Sequence, residues 1–202
     1  PTLDASKNNI EQQKNRVWID GNPKSILIIE FFSDTSKKIN SVVVECQTML
    51  LANGAYSAIL INKNDRNKVW EIRKAGLGLL MGKVGSKKAI AIIEDAAVPV
   101  DTMYSYYREV KALIKSYDIN AVYYGHASVG LIHIRPELDL SKEEDQKKMS
   151  GIARDISKIV KKYKGSLSGE HGDGRIRAPF LKEQFGAFVY QYFVNLKCIF
   201  DP

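Results

Sequence analysis

The sequence predicts an α+β fold, a sheet covered by helices and built as two similar halves. Three observations carry this. Short β-branched runs alternate with longer amphipathic stretches. The strand–helix–strand order occurs twice along the chain. Glycines, prolines and capping residues fall where elements should end. At 202 residues the chain can bury a real core, as one large domain or two small ones.

Residues 1–22 are polar and read as an opening helix or linker. Ser25 to Phe32 (SILIIEFF) has the length and β-branched content of a buried strand. Asp34-Thr35-Ser36 offers an N-cap, and a long amphipathic helix follows to about Leu51, stopped by Asn53-Gly54. Ala55 to Asn62 is a second strand. Asp65 opens a helix through Trp70, Ile72 and Ala75, and Gly76, Gly78, Gly82 and Gly85 space out a loop. Ala89 to Ile93 is a third strand, ending at Glu94-Asp95. Pro99 opens a helix whose apolar face carries Met103, Tyr106, Tyr107, Val110, Leu113 and Ile114.

The second half repeats the theme. Asn120 to Tyr124 and Leu131 to Arg135 are strands. Ser141 begins a long helix, with Ser141 and Glu144 as a capping box, ending near Lys164-Gly165. Ser166 to Arg177 holds too many glycines and polar residues for a regular element. Leu181 to Phe200 closes with a helix. Residues 23–202 thus form the folded part, with halves near 23–100 and 101–202.

Composition is that of an ordinary globular protein, 45% hydrophobic and 26% charged. The net charge is +7, but the lysines are scattered and interleaved with acids, which argues against nucleic acid as a partner. No apolar run approaches the ~20 residues of a membrane span. The N-terminus lacks a signal-peptide apolar region, and both ends read as cuts within a longer protein. Cys46 and Cys198 sit in apolar helical patterns and read as buried free thiols of a reducing compartment. The expected location is the cytoplasm, free or peripheral to the inner membrane.

The chemistry concentrates around the histidines. His126, His133 and His171 are the three in the chain, and all lie in two glycine-flanked segments. In Gly125 to His133 a turn near Val129-Gly130 folds a hairpin, with Gly130 suited to positive φ. His126 and His133 then face each other across antiparallel strands, with Cβ atoms ~5 Å apart. In Ser168 to Gly174, Glu170 supplies an oxygen ligand. Two histidines and a glutamate are a set used by metal sites that keep one position open. His171 is then free to act as a base. The alternative, histidines serving as hydrogen-bonded core residues, stays open on the residues alone. So do a hydrolase using the same three ligands and a non-catalytic module whose glycine segments shape loops against a partner.

GHASVGLIHIRPELDL (125–140) and GSLSGEHGDGRIR (165–177) resemble the two signature segments of the FAD-linked oxidase C-terminal domain. That family includes D-lactate, glycolate and D-2-hydroxyglutarate dehydrogenases. Trp70 to Gly76, Ile93 to Pro99 and Leu196 to Pro202 match it in family order. The resemblance implies duplicated ferredoxin-like halves with antiparallel sheets. It implies a substrate and metal domain working with a separate FAD-binding domain, inactive alone, in an enzyme oxidising a small D-2-hydroxy acid. The metal ligands it implies are His126, His133 and Glu170, for a divalent ion such as Zn or Mn. It makes His171 the active-site histidine beside flavin and substrate. It makes Arg73 the substrate-carboxylate arginine, against a helix-surface salt bridge as the plainer alternative. Arg135 is either a further anion-binding residue or a salt-bridge partner. Glu94-Asp95 reads as a solvated strand end. Where many members carry GDGNLH this chain carries Ser128 to His133, so the family's asparagine is Leu131, which leaves the exact hydroxy acid open. The HASVG form resembles a bacterial subgroup fused to an iron–sulfur domain. No phosphate-cradling segment is visible, so most of the FAD would be held outside this chain.

Overall fold

A computed structural model describes residues 2–201, with the side chains of 3–201. The chain divides into two compact units, Pro1–Lys83 and Val84–Pro202.

The first unit is helical: α1 (Thr2–Asn8), α2 (Ile10–Gln13), α3 (Ser36–Ala52) and α4 (Arg66–Met81). Helix α4 packs on α1 and buries Val69, Ile72, Gly76 and Leu80, a single stripe at helical spacing. It runs straight through Gly76 and Gly78, where the sequence suggested a loop, and ends at Gly82. Each helical glycine costs about 1 kcal/mol relative to alanine. Gly76 lies on the packed stripe, so tertiary burial overrides propensity.

The two strands expected at 25–32 and 55–62 form no ladder among the described residues. A strand is completed by a partner, and neither segment has one there. Leu27 and Phe32 are exposed accordingly. Side chains hold these segments instead: Gln47 donates to the Ala58 carbonyl at 2.6 Å and Trp70 to Glu30 at 3.2 Å.

The second unit is α+β. It contains β1 (Lys88–Ala89), β2 (Ala96–Ala97), α5 (Met103–Ser116), β3 (Ala121–His126), β4 (Leu131–Leu138), α6 (Glu143–Lys162), α7 (Gly174–Arg177) and α8 (Leu181–Phe200). Among the described residues the named strands pair antiparallel, each with β4. One edge of β4 takes the whole of β3, and the other takes β1 and β2.

The faces of β4 divide the labour. Ile132, Ile134 and Leu138 join the core with Tyr106, Val110 and Ile114 of α5 and Ile152, Ile156 and Val160 of α6. His133 and Arg135, alternating with them, lie on the opposite face.

The single strand expected at 89–93 is two short ones with a bulge between. Ala89 pairs with Glu137 and Ala96 with Ile132. Seven steps along one strand therefore span five along the other, and two extra residues are thrown out. The long helix α6 starts at Glu143 rather than Ser141, and the expected capping box is not made. Ser141 is taken by the Asp139 carboxylate, and Asp145 accepts the Asp139 N–H at 2.8 Å.

Neither cysteine is buried as expected: Cys46 is partly exposed and Cys198 exposed, both free. They sit on α3 and α8, neither of which buries a residue. No helix is long and apolar enough to cross a membrane among the described residues.

Candidate metal and active site

The site grows from the polar face of the β3–β4 hairpin. Its turn is a 3-10 segment, Ala127–Val129, closed by Gly130 at φ 69°. The backbone there approaches the Val98 carbonyl so closely that a Cβ on Gly130 would lie 1.9 Å from its oxygen. The turn sets the register His126↔Leu131 and Tyr124↔His133. His126 and His133 are therefore diagonal neighbours on one face, not directly opposite as the spacing suggested. Their rings are still 5.6 Å apart, edge to face. Tyr124, opposite His133, stacks on it at 4.6 Å.

The segment 166–171 lies alongside the bulged strand. Ser166 and Ala97 exchange both backbone hydrogen bonds, and Gly169 N–H donates to the Asp95 carbonyl. This brings Glu170 over the hairpin. Its carboxylate lies 3.3 Å from His126 Nε2, 3.7 Å from His133 Nε2 and 3.6 Å from His171 Nε2. His133 and His171 stack at 5.5 Å. One ligand atom each from His126, His133 and Glu170 fall within 4.8 Å of one another.

These residues fit a divalent ion. A tetrahedral ion ~2.1 Å from its ligands holds them ~3.4 Å apart, close to the spacing seen. Burial lowers the His133 pKa, against the pull of Glu170, which favours the neutral imidazole that a ligand must be. His133 Nδ1 is buried and makes no well-formed hydrogen bond; the acceptor bearing on it is the Glu94 backbone carbonyl. A metal-bound imidazole usually turns its other ring N–H toward a carbonyl or carboxylate, and the Glu94 carbonyl stands on that side of His133 while Nε2 faces Glu170. His126, Glu170 and His171 are each roughly two-fifths exposed, so the cluster opens on one side.

A second trio, Glu94, His133 and His171, is equally compact. Its carboxylate is ion-paired with Arg135, a buried guanidinium that also donates to Tyr124 OH at 2.8 Å. With its charge balanced, Glu94 offers a cation little. Among the described residues the Glu170 carboxylate meets imidazoles alone. Charge thus favours the His126–His133–Glu170 set.

Of the residues expected at a site, five come together here: His126, His133, Arg135, Glu170 and His171. Arg73 is carried by the other unit, half-buried on α4. Arg135 makes the salt bridge that was one of its two readings.

Two acids are more than a solvated strand end. Glu94 accepts from His171 Nδ1 at 3.1 Å. Asp95 is fully buried and accepts from Ser168 Oγ and from the backbone N–H groups of Glu170 and His171, at 2.8, 3.0 and 2.8 Å. It also pairs with Arg177, another buried residue that spacing did not single out. Burial would raise the Asp95 carboxyl, but these donors outweigh it and hold its pKa down to about 2. The only sequence signal was two adjacent acids ending an apolar run, and alternation assigns those to opposite faces. The bulge, invisible in the sequence, lets both serve one site.

Residues 2–202 match the family described as FAD linked oxidases, C-terminal domain. The chain is 33% identical over 135 residues to a D-2-hydroxyglutarate dehydrogenase of Pantoea ananatis, covering 67% of this chain and 13% of that protein. A D-2-hydroxyglutarate dehydrogenase of Pseudomonas putida is 30% identical over 189 residues, 88% of this chain and 18% of that protein. A D-lactate dehydrogenase of Archaeoglobus fulgidus is 25% identical over 194 residues, 95% of this chain and 40% of that protein. The chain therefore spans less than half the length of each of these relatives. With the match running from residue 2 to residue 202, this chain belongs to the family of C-terminal domains of FAD linked oxidases.

Proposed function

We propose that this chain is the substrate- and metal-binding part of a flavin-dependent dehydrogenase that oxidises a D-2-hydroxy acid. The observation that carries the reading is the convergence of His126, His133, Glu170 and His171 on one open sheet face, in a chain of this family. His126, His133 and Glu170 would hold a divalent ion, Zn or Mn. A bound ion would supply Lewis acidity toward the substrate's 2-hydroxyl, and FAD would supply the hydride acceptor.

The chain's own residues do the rest. A carboxylate can only accept, so the Glu94 contact puts the proton of neutral His171 on Nδ1. That leaves Nε2 as the basic nitrogen, on the side of Glu170, to take the hydroxyl proton. Arg135 holds Glu94 in place. Arg73 would bind the substrate carboxylate, whose planar shape suits a guanidinium fork. The parent's other domain would hold most of the FAD.

The two D-2-hydroxyglutarate dehydrogenases are more similar to this chain than the D-lactate dehydrogenase is, and the chain is a smaller fraction of them. This favours a long parent carrying a further domain, for which an iron–sulfur electron relay is our reading.

The test is an assay of the full-length parent on D- and L-2-hydroxy acids with an artificial electron acceptor. Turnover of D-2-hydroxyglutarate, D-lactate or glycolate should vanish with chelator and return with divalent metal. A flavin-loaded parent that oxidises none of the three overturns the substrate class.

A further inference from the structure

Glu170 and His171 stand on a loop that has little regular structure of its own. Ser166 to Asp173 contains no helix and no strand, only isolated bridges to Asp95 and Ala97. A segment rich in glycine loses much conformational entropy when fixed, and something must offset that.

Backbone bonds to Ala97 and Asp95 tie its first half to the bulged strand, and beyond these one buried ion pair holds it. Asp95 reaches the loop from the bulged strand. Its carboxylate collects the backbone N–H of Glu170, the backbone N–H of His171 and the hydroxyl of Ser168. Arg177 reaches back from α7. Its guanidinium donates to the carbonyls of Leu167, Gly172 and Asp173, at the two ends of the same loop, and to Asp95. Both side chains are almost wholly buried. One partner gathers the loop's N–H groups, the other gathers its carbonyls, and the two join face to face.

Neither residue touches the open side of the cluster. Asp95 ends on the backbone of the two residues proposed to carry the chemistry, and Arg177 on the backbone that flanks them. We propose that the Asp95–Arg177 pair is the positioning device of this site: it sets the backbone of Glu170 and His171, and through it the ligand geometry for a divalent ion. The inference rests on the metal reading above for its second half only; the loop-fixing half stands on the hydrogen bonds.

A guanidinium is needed because three carbonyls and a carboxylate must be met from one planar group. A carboxylate is needed because it accepts on both oxygens, whereas an amide in its place would turn a donor toward an N–H or toward Arg177. Asp95→Asn is therefore not a mild change here, although its shape is retained. Arg177→Lys keeps the charge but loses the fork.

The experiment uses the full-length flavoprotein, with Asp95→Asn and Arg177→Lys. Amide exchange of the peptide covering 166–174 is followed by mass spectrometry, and divalent-metal affinity by competition with a chromophoric chelator. Both variants should speed exchange of that peptide ~10-fold or more, with the β3–β4 peptides unchanged, and weaken metal binding ~10–100-fold, the range found when groups supporting a ligand are removed. Wild-type exchange in 166–174 together with wild-type metal affinity in either folded variant overturns the proposal. If Asp95→Asn does not fold, Arg177→Lys decides. A wild-type protein that binds no divalent metal would sink the metal reading, while the exchange rates would still decide whether the pair fixes the loop.

Discussion

Glu94 and Asp95 are neighbours with separate tasks, and each yields a prediction. Asp95 has a folded pKa of about 2, below the 3.8 of an unperturbed aspartate. A depressed carboxylate contributes stability above its unfolded pKa and loses it as pH falls through the folded one. The difference is worth about 2 kcal/mol, lost between about pH 4 and pH 2. Urea unfolding across that window should show wild type losing this much more than Asp95→Asn; parallel curves would remove the linkage. Glu94 acts on His171 instead. Glu94→Gln keeps an acceptor for Nδ1–H but gives up the charge and the Arg135 pair. In the parent it should cut turnover ~10-fold or more while leaving bound metal, counted by elemental analysis, unchanged. His171→Ala should cost ~10²-fold or more with FAD still bound. Turnover at the wild-type level in His171→Ala would take that residue out of the mechanism.

At the scale of elements, the hairpin turn is the most sensitive point. Gly130 combines positive φ with a backbone approach that leaves no room for a Cβ. Gly172 has a similar φ of 76° but open space around it. The left-handed conformation alone costs an L-residue roughly 1–2 kcal/mol. Gly172→Ala should therefore destabilise by about that much, and Gly130→Ala by distinctly more, because a carbonyl must also move. Equal losses in denaturant unfolding would show that conformation, not contact, governs the turn. This turn was legible in the sequence, as was the helix at 103–116, because each follows a local rule: a glycine at a reversal, or apolar residues at helical spacing; the run 181–200 is helical as well, but breaks at Gly186, where φ is 82°. The pairing partner of a strand is not local. Ser25 to Phe32 and Ala55 to Asn62 have strand composition yet no ladder, and the bulge at 90–95 exists only relative to β4. The same limit applied to the site. A candidate metal set of His126, His133 and Glu170 could be proposed from two motifs, but the contacts of Asp95 with Ser168, Glu94 with His171 and Arg177 with Asp95 span 73 or more residues of sequence, where spacing is silent.

At the scale of the molecule, the uncovered helices matter most. Helix α8 buries none of its residues, and Phe188, Ile199 and Phe200 are 74%, 73% and 80% exposed. Helix α3 likewise buries none, with Val44 and Met49 exposed. Each such side chain gains about 1.5–3 kcal/mol when fully buried. Patches of this kind mark surfaces that associate. The net charge of +7 opposes association of identical copies, but only over about 10 Å at 0.1 M salt. The apolar term should win, and the sign of the salt effect tells the two apart. The isolated 202-residue chain should elute well above its 22.7 kDa mass, and more so as salt is raised, because screening removes the repulsion and leaves the apolar attraction. Replacing Phe188, Leu196 and Ile199 together with serine should return it toward monomer. A chain that is monomeric at every salt concentration, or that dissociates as salt rises, would show that these faces do not drive association.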